Sequence, residues 1–214
     1  MKLLSVNVGR PREVVHQGRL VPTGIFKQPV AGRVLLRRTN LEGDAQADLA
    51  VHGGPDKAVY AYPYEHYAHW REELGRDDFV MGQFGENLTL EGMLEHAVSI
   101  GDVYRVGDAT VEVSQPRVPC FKLGVRLGDA SFVKRFHHSR RTGFYLRVIE
   151  EGEIAAGDAI DLVDRPAGSL TVSEVFSLRH FEQGDSEKLK QAAGLPALCL
   201  SWREDFLRIL DLRG

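Results

Sequence analysis

Cysteine is scarce in this chain: only Cys120 and Cys199 among 214 residues. Two thiols do not make a disulfide framework, and a reducing cytoplasm is the expected compartment. No apolar run approaches the ~20 residues needed to span a bilayer, so no membrane association is expected. The apolar part of Met1–Arg10 is too short and too interrupted for a signal-peptide core. Excess basic charge is also missing. The net charge of -3 provides no global field for nucleic acid or an anionic membrane, so an anionic ligand has to be held by local Arg and Lys. Nor is there a Gly-x-Ser-x-Gly elbow, a Walker motif or a strong dinucleotide fingerprint. His66 and His69 follow Glu65 on one predicted helix, but their order and spacing are not those of His-Glu-x-x-His, and they read as helix surface.

What is present is an ordinary globular composition, 43% hydrophobic and 27% charged, long enough to bury a sizeable core. The first two-thirds alternates short β-rich runs with Gly-Asp and Gly-Pro punctuation, the pattern of a barrel or sandwich. Strands are predicted at 3–8, 34–38 and 58–62. A hairpin is predicted from 103–106 and 110–114 around Gly107-Asp108, and a further pair from 145–149 and 159–163. Helices are predicted at 65–74, behind Pro63, and at 131–137, with a short helical turn in 120–127. Arg165-Pro166-Ala167-Gly168 reads as a linker. Beyond it Thr171 or Ser173, then Asp185, then Leu195-Pro196 introduce three helices. The expected division is therefore 1–167, a β domain, and 168–214, a three-helix unit that covers the β domain, dimerises the chain or docks a partner.

The segment most suggestive of chemistry is Ser114-Gln115-Pro116-Arg117-Val118-Pro119-Cys120-Phe121-Lys122-Leu123. Two prolines stiffen the loop that carries Cys120. Arg117 and Lys122 bracket the thiol, and nearby cations favour the thiolate that binds a metal or attacks an electrophile. A buried thiol acting as a small hydrophobe is the plainer reading. Cys199, among apolar neighbours, reads as structural. In Val51-His52-Gly53-Gly54-Pro55-Asp56-Lys57 the glycines permit close backbone approach to a ligand, and His52 and Lys57 supply donors. A tight turn accounts for the same residues. Phe84-Gly85-Glu86-Asn87-Leu88-Thr89 offers an acceptor and an amide suited to a heterocycle edge, or an Asx turn. Ser139-Arg140-Arg141-Thr142-Gly143 is either a phosphate cradle or a solvated basic loop.

In combination, the stretches 51–70 (VHGGPDKAVYAYPYEHYAHW), 84–92 (FGENLTLEG), 114–123 (SQPRVPCFKL) and 143–148 (GFYLRV) resemble the MOSC domain, the molybdenum cofactor sulfurase C-terminal domain. The branch most similar is that of the bacterial hydroxylaminopurine-resistance proteins, whose C-terminal three-helix unit the tail from Leu170 resembles. One departure is Arg140, where that branch tends to have glycine, and it bears on the loop's backbone angles. The resemblance implies an α+β, mainly β fold: a MOSC-type β-barrel with peripheral helices and the small helical unit. It implies that Cys120 ligates molybdenum or carries sulfur, and that molybdopterin is bound. A sulfur-rich environment suits a soft metal. Lys57, Arg117, Lys122 and Arg141 are then candidates for the phosphate and pterin edge, Asn87 and Thr89 for the pterin or substrate, and His52 for a cofactor contact. Pyridoxal phosphate binding is a further association of the family. The expected activity is reduction of small N-hydroxylated compounds, including purine bases, to amines. Electrons would come from a separate reductase, a flavoprotein, because no flavin or haem motif is present. A persulfide sulfur carrier and a non-catalytic pterin-binding module are the alternatives.

Overall fold

The structure is a computed structural model that describes residues 1–48 and 53–212. Among the described residues, twelve strands and six helices make a mixed, mainly β fold, as expected. The strands are β1 (Lys2–Val8), β2 (Arg12–His16), β3 (Arg19–Thr23), β4 (Gln28–Pro29), β5 (Val34–Leu36), β6 (Val59–Pro63), β7 (Leu88–Glu91), β8 (Val103–Val106), β9 (Ala109–Pro116), β10 (Phe144–Glu150), β11 (Gly152–Ile154) and β12 (Ile160–Asp164). Eight of them form one curled sheet in the order β12-β8-β9-β10-β6-β7-β1-β4. Among the described residues, only β6 and β7 pair in parallel. The sheet curls far enough for its ends to meet: Leu3 N donates to Asp158 O and Ile160 N to Met1 O, at 2.9 and 3.0 Å. Inside the curl, alternate residues of the strands (Leu3, Leu88, Leu90, Val111, Val113, Leu146 and Val148) pack into one apolar core.

The predicted β8–β9 hairpin forms around Gly107-Asp108. The predicted pairing of 145–149 with 159–163 does not. β10 lies between β6 and β9, whereas β12 pairs with β8. Between them β11 leaves the main sheet to pair with β5, and this separates the two strands. The β2–β3 hairpin, turning at Gln17-Gly18, has no counterpart in the sequence reading. Its alternation is weak because the ribbon is largely exposed.

The helices are α1 (Glu65–Leu74), α2 (Phe121–Leu127), α3 (Phe132–His138), α4 (Val172–His180), α5 (Ser186–Gly194) and α6 (Leu200–Asp211). A second apolar cluster joins α1, α2 and α3 through Tyr67, Trp70, Leu123, Phe132 and Phe136. Pro63 ends β6 instead of opening α1, whose N-cap is Tyr64. In the tail, Thr171 and Glu174 form a reciprocal capping box at α4, and Asp185 caps α5. Val172, Phe176, Leu189, Trp202 and Phe206 of these helices continue the core of the sheet, so the tail covers the β-structure. No helix among the described residues is long and apolar enough to cross a membrane.

Candidate functional site

β9 and β10 diverge at Pro116 and Phe144, where Arg117 N still donates to Gly143 O at 3.1 Å. Gly143 has φ 70°, and a Cβ there would lie 2.4 Å from Ala61 O, so only glycine fits between β10 and β6. The loop after β9 then leads through Pro119 to Cys120, the extended N-cap residue of α2. Cys120 is partly exposed and faces a cleft of about 660 Å³, open mouth included. Lys57, Asn87, Arg117 and Lys122 line the same cleft, so five residues singled out from the sequence converge there.

Arg117 is 5% exposed. Its guanidinium lies 4.6 Å from the centroid of the Tyr60 ring and 5.3 Å from that of Phe136. Nη2 makes one long bond, 3.4 Å, to Phe84 O, and Nη1 has no hydrogen-bond partner among the described residues. Burial opposes its charge, but the facing Tyr60, Tyr145 and Cys120 groups prevail and hold its pKa above the usual value. Burial pushes the Tyr60 and Tyr145 phenols up, against the pull of Arg117, so both are poor proton donors. A buried cation without a carboxylate partner is expensive, and an anionic ligand resolves the cost.

Lys57 ends the 3₁₀ turn Pro55–Lys57, which is fixed through its neighbour. Asp56 accepts from Arg147 Nε and Nη2 at 2.8 and 2.6 Å. Asn87 is committed to the wall of the cleft. Its Nδ2 donates to Asp44 Oδ2 (2.9 Å) and Asn7 O (3.3 Å), and its Oδ1 accepts from Tyr60 N (3.2 Å). Glu86 faces inward, accepting from Tyr67 Oη, Gly82 N, Phe84 N and Thr89 Oγ1, and so organises the turn that carries Gly85. Burial raises its pKa, against those bonds.

Other residues singled out lie elsewhere. Thr89 is wholly buried behind the cleft, its hydroxyl engaged by Asn7 Nδ2 and Glu86. Arg141 lines a separate cleft with His66, His69, Glu95 and Arg140. His52 lies outside the described residues. His66 is buried, with Nε2 2.7 Å from Glu95, instead of forming helix surface. Cys199 is buried as expected, and burial raises its pKa. Arg140 keeps a left-handed φ of 59° without being glycine, and its side chain reaches Ser177 and Glu182.

The sequence reading missed the N-terminal side of the cleft, which Thr23, Gly24, Ile25, Lys27 and Asp44 supply. Lys27 and Asp44 form an ion pair, both side chains nearly buried. The only trace in the sequence was a Lys and an Asp in separate loops.

A family model described as the MOSC domain matches residues 48–161. The protein YflK of Bacillus subtilis is 41% identical over 209 residues, 98% of this chain and 94% of that protein. The crystal structure of YiiM from Geobacillus stearothermophilus superposes with a TM-score of 0.83 at 39% identity, covering 98% of both chains. A protein of Gibberella moniliformis named reductase is 38% identical over 176 residues, 81% of this chain but 31% of that longer protein.

Proposed function

The chain belongs to the MOSC domain family, and from that premise we propose that the Cys120 cleft holds a molybdenum cofactor and that the protein reduces N-hydroxylated compounds to amines. One observation carries the reading: a buried, incompletely bonded guanidinium beside a partly exposed thiol in a cleft lined by further cations. The donor set fits molybdopterin. Cys120 would be the protein ligand to the metal, a thiolate suiting a soft centre. Arg117, Lys57 and Lys122 would take the phosphate and the polar edge of the pterin. When bound, the group supplies the two-electron chemistry of N–O reduction.

The chain's own contribution is placement. Pro119 and the N-cap geometry fix the direction of Cys120. Arg117, packed on Tyr60 and Phe136, presents its charge from a rigid, largely dry wall. The open mouth admits a small substrate. The reductase name of the fungal relative supports an oxidoreductase, and electron supply by a separate protein, a flavoprotein, completes our reading.

The test compares wild type and Cys120→Ala made in a host that synthesises the cofactor. Elemental analysis, pterin fluorescence and turnover of an N-hydroxylated purine with a chemical reductant are the measurements. Wild type is expected to carry molybdenum and turn over, and the variant to stay folded without activity. Full turnover by Cys120→Ala refutes the ligand assignment. Extra sulfur on Cys120 without molybdenum identifies a sulfur carrier, and bound cofactor without turnover a binding module.

A further inference from the structure

Lys27 enters the cleft from the segment between β3 and β4 and is 5% exposed. Its backbone O and Cβ lie against Gly82, where an added Cβ would be 3.1 Å from each. The ammonium pairs with Asp44, and that carboxylate is itself fixed. Oδ1 accepts from Gly9 N at 2.8 Å and Oδ2 from Asn87 Nδ2 at 2.9 Å. Asn87 is held in turn by Tyr60 N and Asn7 O. A loop tie alone needs no ionisable group, and burying an ammonium is costly. An ammonium has three protons, and Asp44 takes one.

Reduction of an N-hydroxylated compound requires protons as well as electrons: R–NH–OH + 2e⁻ + 2H⁺ gives R–NH₂ + H₂O. Few groups around this cleft suit that task. Arg117 does not release its proton near neutral pH. The phenols of Tyr60 and Tyr145 are pushed further from acidity by burial. Asp44 is engaged by three donors, Gly9 N, Lys27 Nζ and Asn87 Nδ2, and Cys120, Lys57 and Lys122 are assigned to the cofactor. We propose that Lys27, aimed by Asp44 and Asn87, donates the proton to the oxygen that leaves as water when the N–O bond breaks. The inference rests on the reductase reading. The separate electron-donating protein supplies the two electrons, the nitrogen takes its proton from solvent, and solvent reprotonates Lys27. Burial lowers the pKa of Lys27, against the opposing pull of Asp44, and so brings it closer to the range useful to a general acid.

The first measurement needs no cofactor. In cofactor-free protein labelled with ¹³C-lysine, the Lys27 Cε resonance, identified by its loss in Lys27→Arg, is expected to titrate below the other lysines. Asp44→Asn should lower it further. Titration together with the surface lysines overturns the proposal. The second uses cofactor-loaded protein with a chemical reductant and an N-hydroxylated purine. Lys27→Ala is expected to keep its molybdenum and a KM within about threefold of wild type. Its kcat should fall roughly 10²–10⁴-fold, with saturable partial rescue by methylammonium. Lys27→Arg, which keeps the charge, should stay slow. Wild-type kcat in Lys27→Arg, or loss of molybdenum from both variants, overturns the donor role. Absence of molybdenum or turnover from wild type itself overturns the underlying reading, and the donor role with it.

Discussion

Replacing Arg117 by methionine should make the cofactor-free protein more stable. The residue is 5% exposed, and its guanidinium makes one 3.4 Å hydrogen bond and leaves Nη1 without a partner among the described residues. Methionine fills much of the same volume and can keep contact with the rings of Tyr60 and Phe136. Replacing buried charged groups by apolar ones of similar size is often worth ~1–4 kcal/mol. Against that stands the lost cation–ring attraction, ~1–2 kcal/mol when desolvated, and a long hydrogen bond worth less than ~1 kcal/mol. At mid-range the balance favours Arg117→Met by about 0.5 kcal/mol. At a urea m-value of ~2–3 kcal/mol/M, the midpoint rises by roughly 0.2 M. Equilibrium urea unfolding of cofactor-free protein, monitored by far-UV circular dichroism with m held constant, is the assay. Molybdenum occupancy of the same variant from a cofactor-competent host should fall steeply. A loss of more than ~1 kcal/mol in the cofactor-free variant would refute the argument, because the guanidinium would then be a structural strut. A stability gain confined to the cofactor-free form is the signature of a site that gives up stability for ligand binding.

Three other outcomes follow from the geometry. His180 packs 4.6 Å from the His137 ring, and burial, with His137 and Arg179 nearby, lowers its pKa to about 4. The unfolded chain therefore binds the extra proton first. Stability should be complete above about pH 6.5 and fall toward pH 4, by at most ~3 kcal/mol and about half that after solvent screening. His180→Phe should flatten this part of the stability–pH curve, and an unchanged slope would count against it. Gly143→Ala places a Cβ 2.4 Å from Ala61 O at φ 70°. It should lower stability by roughly 2–3 kcal/mol, and Tm by about 5–10 °C in calorimetry. Arg140→Gly relieves a left-handed φ of 59° but removes the bonds to Ser177 and Glu182. Global stability should change by less than about 1 kcal/mol, while amide exchange accelerates at the C-terminal end of α4; unaltered exchange there would refute the tether.

The elements visible in the sequence are those whose cause is local. Gly107-Asp108 specified its hairpin, Thr171 with Glu174 its capping box, and the two prolines the loop of Cys120. The parts that escaped depend on contacts across long stretches of chain. Lys27 and Asp44 meet although each sits in an irregular segment with no periodicity to mark it. Asn87 does line the cleft, but the engagement of its amide by the backbones of Asn7 and Tyr60 and by the Asp44 carboxylate had no local signal. Arg141 follows Arg140 through a left-handed bend, and the bend delivers it to a different cleft. Strand pairing is equally non-local: β12 chose β8 because β11 diverts the chain between them.

Arg147 holds Asp56, beside Lys57, and also reaches Ala197 O at 3.2 Å and Glu112. Ala197 lies in the approach to α6, and the next link is backbone: Cys199 N donates to Ser114 O at 3.1 Å. One guanidinium thus splices the helical tail to the turn that presents a cleft lysine. A recombination event that moved the β-structure into a new protein without its tail would strip an acceptor from that splice, so the two segments are best inherited as a unit.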